Sequence, residues 1–341
     1  MLTFDPEVLE KLVVRATGHR PAEVVQMPGG ASTRRYMRLH TPEGPLVAMF
    51  VPDARPEEIT AGAPTLRWPF LEVQELLHGR GVRVPRVIAE SCDEGLLLLE
   101  DLGDETLAAF LERAPARRAE IYRIAVTDLA RAQAALGALP EGSVIATRAF
   151  DETLLRWELD HFREWGLDAR DRALPDEERA QFDAIADRLA RRIAAWPRGF
   201  VHRDYQSRNL MVHTGPLDTL SLVWIDFQDA LLGPRVYDLV ALLNDSYQSF
   251  DRDFIEARLD DFASAAGMDT AGRAALGREF DVVTVQRKLK DAGRFIFIDR
   301  VKKNPSFLPY FEPSLAKVRA ALARLQDEED MRVLSRIVER A

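Results

Sequence analysis

The stretch from 200 to 229 constrains this chain more than any other. An apolar pair, Phe200-Val201, leads into His202-Arg203-Asp204, and Asn209 follows five positions after the aspartate. Leu210 to His213 and Leu220 to Ile225 are apolar, β-prone runs joined through Gly215-Pro216, which predicts two strands and a turn. The second run ends at Asp226. Three oxygen-bearing side chains are thus expected at one end of a hairpin. Phosphoryl transfer needs such a set, with one carboxylate to orient an attacking hydroxyl and an amide plus a second carboxylate to hold Mg²⁺ on a nucleotide.

The rest of the chain sets the frame for that hairpin. Its 341 residues predict two domains or lobes, and 47% apolar with 30% charged residues is the balance of a soluble globular protein. A net charge of −9, from 46 basic and 55 acidic residues, argues against a nucleic-acid or anionic-membrane partner. The lone Cys92 cannot form an intrachain disulfide, which together with an N-terminus lacking a basic start and a long apolar run predicts a cytoplasmic protein. No apolar run approaches the ~20 residues of a membrane span, and nothing in the sequence calls for an obligate protein partner.

Residues 5 to 18 predict an amphipathic helix stopped by Gly18. Val24 to Leu39 reads as strand, glycine turn and strand; Gly29, Gly30, Ser32, Thr33 and Arg34 give a turn whose backbone N–H groups can approach phosphates, although a plain hairpin turn has the same composition. Leu46 to Val51 predicts a strand, residues 53 to 67 a loop, and Phe70, Val73, Leu76 and Leu77 a helix. Val84 to Ala89 and Leu96 to Leu99 predict two more strands, and Glu100-Asp101-Leu102-Gly103 a linker. Beyond it, helices are expected at 105 to 113, 117 to 137, 151 to 165 and 176 to 195. Gly233 to Leu243 reads as an apolar helix start, and 251 to 341 as mainly helical with an interruption near Lys303-Asn304-Pro305-Ser306. The expected architecture is α+β, a small β-rich N-terminal lobe (1 to 103) and a larger, mainly helical C-terminal lobe (104 to 341).

With that frame, His202-Arg203-Asp204 and Asn209 resemble the catalytic loop of the bilobal protein-kinase-like fold, and Asp226-Phe227-Gln228 stands where kinases carry Asp-Phe-Gly. Gly233 with Asp238-Leu239 is similar to the aminoglycoside phosphotransferase branch. The string Ile225 to Leu239, with Gly30 to Tyr36 and Gln286-Arg287-Lys288-Leu289-Lys290, resembles the bacterial sugar kinases that phosphorylate the anomeric hydroxyl of N-acetylmuramate and N-acetylglucosamine. The resemblance implies an ATP- and Mg²⁺-dependent small-molecule kinase of cell-wall recycling. Asp204 would be catalytic, Asn209 and Asp226 would hold Mg²⁺, and Gly29 to Arg34 would cover the phosphates. Glu100 and Leu102 would offer backbone groups to adenine. His202 would be a buried brace, and Asp238 would tie the catalytic loop in place.

One departure stands out. Where kinases place a lysine, this chain reads Val47-Ala48-Met49-Phe50, and no lysine occurs between Lys11 and Lys288. Arg34, Arg35 or another arginine must then supply the positive charge, or nucleotide binding is weak. For the acceptor, Trp157, Glu158, His161, Phe162 and Trp165 form an aromatic and polar cluster suited to a sugar ring, and a core stripe explains the same spacing. Glu158, Asp229 and Trp157 are candidate sugar contacts; Arg287 and Lys290 could receive a carboxylate or cap a helix. Two alternatives stay open. One is a kinase for an aminoglycoside, choline or homoserine, which an acidic acceptor pocket would favour. The other is a nucleotide-sensing pseudokinase, motivated by the missing lysine.

Overall fold

The structure, a computed structural model, describes residues 4–28, 33–52 and 68–341. The expected phosphate turn at Gly29, Gly30 and Ser32 and the expected loop at 53 to 67 lie outside them. The strands among the described residues are, in chain order, β1 (Glu23–Gln26), β2 (Arg35–Thr41), β3 (Gly44–Phe50), β4 (Val87–Ser91), β5 (Leu96–Glu100), β6 (Arg198–Val201), β7 (Leu210–Thr214), β8 (Leu220–Trp224) and β9 (Leu231–Pro234). The helices are α1 (Pro6–Thr17), α2 (Pro69–Gly79), α3 (Leu107–Arg113), α4 (Arg118–Ala135), α5 (Glu152–His161), α6 (Asp176–Ala194), α7 (Tyr237–Leu243), α8 (Arg252–Ala265), α9 (Thr270–Lys302), α10 (Phe311–Arg324) and α11 (Glu329–Val338). The chain separates into two compact units, 1–106 with 210–229 and 107–209 with 230–341.

In the first unit an antiparallel sheet runs in the order β1-β2-β3-β5-β4. α1 starts where the Asp5 carboxylate accepts the Glu7 N–H at 2.8 Å, and it stops at Gly18, whose φ of +77° suits a residue without Cβ. Its Leu9, Leu12 and Val13 pack on Met37, Leu39, Ala48, Phe50, Leu96 and Leu98. Because strand side chains alternate, Met49 lies on the opposite sheet face, in register with Tyr36 and Leu97. β4 begins three residues later than the sequence predicts: Pro85, which lacks an N–H, interrupts the run after Val84, and the register shifts between Val87 and Ala89. The β7–β8 hairpin joins this unit through Val212 N–H to the Glu105 carbonyl (2.8 Å) and Trp224 N–H to the Arg83 carbonyl (2.9 Å). Thus 210–229 packs with the first unit, whereas the sequence reading grouped it with everything after Gly103.

The second unit is helical apart from β6 and β9, which pair antiparallel from Arg198↔Pro234 to Val201↔Leu231. Leu231–Pro234 is therefore a strand that takes in Gly233 and Pro234, where the helix start was expected; the helix begins only at Tyr237. α5 ends at His161 and runs on as a π-helical turn, Phe162–Leu167. α9 spans 33 residues and is buried along much of its length. It crosses the end of α5 at Gly293, where a Cβ would stand 2.5 Å from the His161 carbonyl oxygen, so only glycine allows this approach. The predicted interruption near Lys303 is present, with Lys303 in the left-handed region (φ +57°) closing α9. No described helix is long and apolar enough to cross a membrane.

Candidate active site

In the second unit, β6 delivers the chain into His202–Asn209, and buried groups pin this loop along its length. Asp238, fully buried on α7, accepts the His202 N–H at 2.7 Å and the Arg203 N–H at 3.0 Å. Arg203 has a φ of +81°, unfavourable for a residue with a Cβ. Its N–H is held by Asp238, and its carbonyl accepts from Arg287 Nη1 at 2.9 Å, so both backbone polar groups lock the strained residue. Tyr205, buried, donates to the Ala125 carbonyl at 2.9 Å and meets the His202 ring edge-on. Ser207 gives its N–H (2.9 Å) and hydroxyl (2.5 Å) to the buried Asp245 carboxylate. Asn209 donates through its amide nitrogen to the Asp204 carbonyl at 2.9 Å.

Amid these anchors the Asp204 side chain stays 40% exposed, with Arg287 Nη2 3.6 Å from its carboxylate. Arg287 is itself buried, its guanidinium over the Tyr237 ring at 4.5 Å. Burial raises the Asp238 pKa to about 7, opposed by the two backbone N–H bonds and by the Arg287 charge.

The acceptor candidates fall into two classes. Glu158 is only 1% exposed, and its oxygens accept from Gln286 Nε2 (2.7 Å) and from the Tyr237 hydroxyl (3.4 Å), tying α5 to α9 and α7. Trp157, one residue earlier, is 52% exposed and stacks on the His161 ring with centroids 5.3 Å apart. His161 is buried, and its pKa falls to about 4 through burial and the charges of Arg294 and Lys290, so the ring is neutral at neutral pH. Lys290, the other carboxylate-receiving candidate, lies 2.9 Å from Asp291.

In the first unit Asp226 follows β8, exposed and with φ +64°. The Gln228 amide donates to Asp226 Oδ1 (2.9 Å) and Asp229 Oδ2 (3.2 Å), so one side chain spaces two carboxylates. Phe227 is buried against Phe70 of α2, with centroids 4.9 Å apart. Met49 and Phe50, the two positions where a kinase lysine would stand, are each 1% exposed; Phe50 packs on the α1 side of the sheet, and Met49 faces the other way. Its cross-strand partner Tyr36 takes a hydrogen bond from Arg34; burial raises the Tyr36 pKa, the Arg34 charge lowers it and the Asp226 charge raises it. The sheet face that carries Met49 therefore also carries Tyr36, paired with Arg34 and within electrostatic reach of Asp226. Thr33 is exposed beside it. Farther along, Glu100 accepts from Arg83 (2.9 and 2.5 Å) and uses its own N–H on the Arg86 carbonyl (2.9 Å). Asp101 and Asp104 share Arg38, and the half-buried Leu102 lies between them.

Each unit offers a group of the kind that binds a magnesium nucleotide. Asn209 gives its amide nitrogen to the Asp204 carbonyl, and its amide oxygen, like the Asp226 carboxylate, is of the hard type that magnesium takes. Among the described residues no three His, Cys, Asp or Glu side chains cluster as a metal site, so such an ion would draw further ligands from phosphate oxygens. Sequence reasoning missed Tyr36, Gln228, Asp245 and Arg294. Tyr36 and Asp226 are far apart in the chain, and no local pattern links them.

The sequence profile described as "Phosphotransferase enzyme family" matches residues 23–276. The chain is 35% identical over 320 residues to the N-acetylmuramate/N-acetylglucosamine kinase of Pseudomonas aeruginosa, covering 89% of this chain and 87% of that one. It is 33% identical over 325 residues to the kinase of the same name from Neisseria meningitidis serogroup B, covering 88% and 90%. Among solved structures, ADP-bound aminoglycoside phosphotransferase APH(2'')-Ib superposes with a TM-score of 0.59 at 14% identity, over 92% of this chain and 98% of that one. Aminoglycoside 2'-phosphotransferase-IIIa with GDP gives 0.61 at 14% identity, over 94% and 100%. The fold shared with these structures is the protein-kinase-like α+β fold that the hairpin predicted.

Proposed function

The chain belongs to the phosphotransferase enzyme family, and on that premise we propose that it transfers the γ-phosphoryl group of ATP to the anomeric hydroxyl of N-acetylmuramate or N-acetylglucosamine. The observation that carries the catalytic part is the loop at 202–209, with an accessible Asp204 carboxylate on a backbone fixed by Asp238, Asp245 and Arg287. Asp204 accepts a hydrogen bond from the attacking hydroxyl, orients its lone pair toward phosphorus and takes its proton as the bond forms. Pinning the loop in advance lowers the entropy cost of that alignment. Asn209 and Asp226 would hold Mg²⁺, which when bound neutralises phosphate charge. Arg34 with Tyr36 stands in for the missing lysine, and Gly29, Gly30, Ser32 and Thr33, which precede them in the sequence, would cover the phosphates. Leu102 and the Glu100 carbonyl would meet adenine.

The charges around Asp204 support this acceptor class over cationic ones. Arg287 lies beside it, and the charges of Arg203 and Arg294 act on each other near it. Such a site repels aminoglycosides and choline and accepts neutral or acidic sugars. Trp157 offers an exposed aromatic face to a sugar ring. Glu158 belongs to the framework of the site, since both its oxygens have buried partners.

ADP release measured with ATP, Mg²⁺ and each sugar tests the proposal. Release with either sugar and none with an aminoglycoside or choline is expected. The reverse pattern overturns the acceptor, and nucleotide binding without turnover on any acceptor overturns catalysis.

A further inference from the structure

The α5–α9 crossing builds a ladder of rings that ends in a guanidinium. Trp157 stacks on His161 at 5.3 Å, His161 meets Phe297 at 5.5 Å, and the Arg294 guanidinium lies over Phe297 at 4.9 Å. The close approach at Gly293 sets the next residue, Arg294, against this stack. The other cations of this stretch have partners. Arg287 bonds the Arg203 carbonyl and lies beside Asp204, Lys288 bonds Asp291 at 2.7 Å, and Lys290 lies 2.9 Å from Asp291. Arg294 makes no hydrogen bond or ion pair among the described residues, although it is half-buried and held near a second guanidinium, that of Arg203. Burial and the Arg203 charge push its pKa down and the Asp204 charge acts the other way, with a net lowering that a further anion would relieve.

We propose that Arg294 and Trp157 form an acceptor subsite that reads a carboxylate on the sugar, with the ring face on Trp157 and the acidic substituent on the Arg294 guanidinium. A planar guanidinium binds carboxylate through two parallel hydrogen bonds, a geometry that lysine cannot reproduce. The subsite rests on the amino-sugar reading and adds to it a preference between the two sugars. N-acetylmuramate carries a carboxylate on its lactyl ether; N-acetylglucosamine has none.

The test is the ratio of kcat/KM for N-acetylmuramate to that for N-acetylglucosamine in wild type, Arg294→Met and Arg294→Lys. The ratio should fall about 10- to 100-fold in Arg294→Met, chiefly through KM for the acidic sugar, and recover in part in Arg294→Lys. Thermal melts of both variants check folding, and a ratio is insensitive to the fraction of active enzyme. A ratio unchanged in Arg294→Met, with both sugars affected in parallel, overturns the subsite while leaving the amino-sugar reading intact. Wild-type enzyme that turns over neither sugar overturns that reading and the subsite with it.

Discussion

The loop at 202–209 and the linker at 100–104 both carry groups proposed to act in the reaction, and they are held by different means. The loop is fastened by buried partners, Asp238, Asp245, Tyr205 and Arg287. The linker is fastened by ion pairs of mixed exposure: Arg38 with Asp101 is largely buried, whereas Arg83 with Glu100 and Arg38 with Asp104 reach water. A broken buried pair leaves an uncompensated polar group in low dielectric and costs several kcal/mol, whereas an exposed pair contributes about 0–1 kcal/mol. The proposed reacting carboxylate is therefore held by buried partners throughout, and the proposed adenine-binding strip partly by pairs that water screens. That division suits phosphoryl transfer, in which alignment of the attacking oxygen sets the rate.

The first way to break this contrast is to remove the reacting group and leave its anchors. Asp204→Ala should lower kcat about 10²- to 10⁴-fold with a melting temperature near wild type; a variant retaining normal turnover removes Asp204 from the mechanism. Next is an anchor. Asp238→Ala strands two buried backbone donors and should cost on the order of 3 kcal/mol in denaturant unfolding, along with most activity. A loss below about 1 kcal/mol would put the loop in the same class as the linker. On the nucleotide side, Arg34→Ala should raise KM for ATP about tenfold with little change in KM for the sugar. A shift of equal size in both would separate Arg34 from phosphate binding.

Smaller effects sharpen the same contrast. Arg83→Ala should change unfolding free energy by no more than about 1 kcal/mol. The His161 pKa is about 4 against an ordinary 6.5, so the unfolded chain binds the proton more tightly than the folded one. Its contribution to stability is full above pH 6.5 and is lost as the pH falls toward 4. His161→Phe should flatten that acid limb in urea melts taken across this window.

Much of this was legible in the sequence because it is local. Asp204, Asn209 and Asp226 sit at fixed offsets around a hairpin whose strands announce themselves by composition, and Gly18 and Lys303 end helices where the apolar pattern stops. What was hidden depends on burial or on distant pairing. Trp157 and His161 share one helical stripe, and spacing alone does not reveal that one is half exposed and the other buried. Glu158 reads as a free carboxylate until Gln286 and Tyr237, more than 75 positions away, enclose it. Leu231–Pro234 pairs with β6, and without that partner its apolar run passes for the start of a helix. The Arg34–Tyr36 pair, proposed in place of the missing lysine, required β2 beside β3 and Asp226 within reach, a relation no linear motif carries.

The central claim is that the pinned loop drives phosphoryl transfer to an anomeric hydroxyl. Phosphorus NMR of a reaction with ATP, Mg²⁺ and N-acetylmuramate reads the product directly. The account predicts a sugar 1-phosphate resonance coupled to the anomeric proton, growing with ADP and absent with Asp204→Ala. Phosphate on another hydroxyl, ADP with free phosphate only, or a sugar 1-phosphate formed equally well by Asp204→Ala would contradict it.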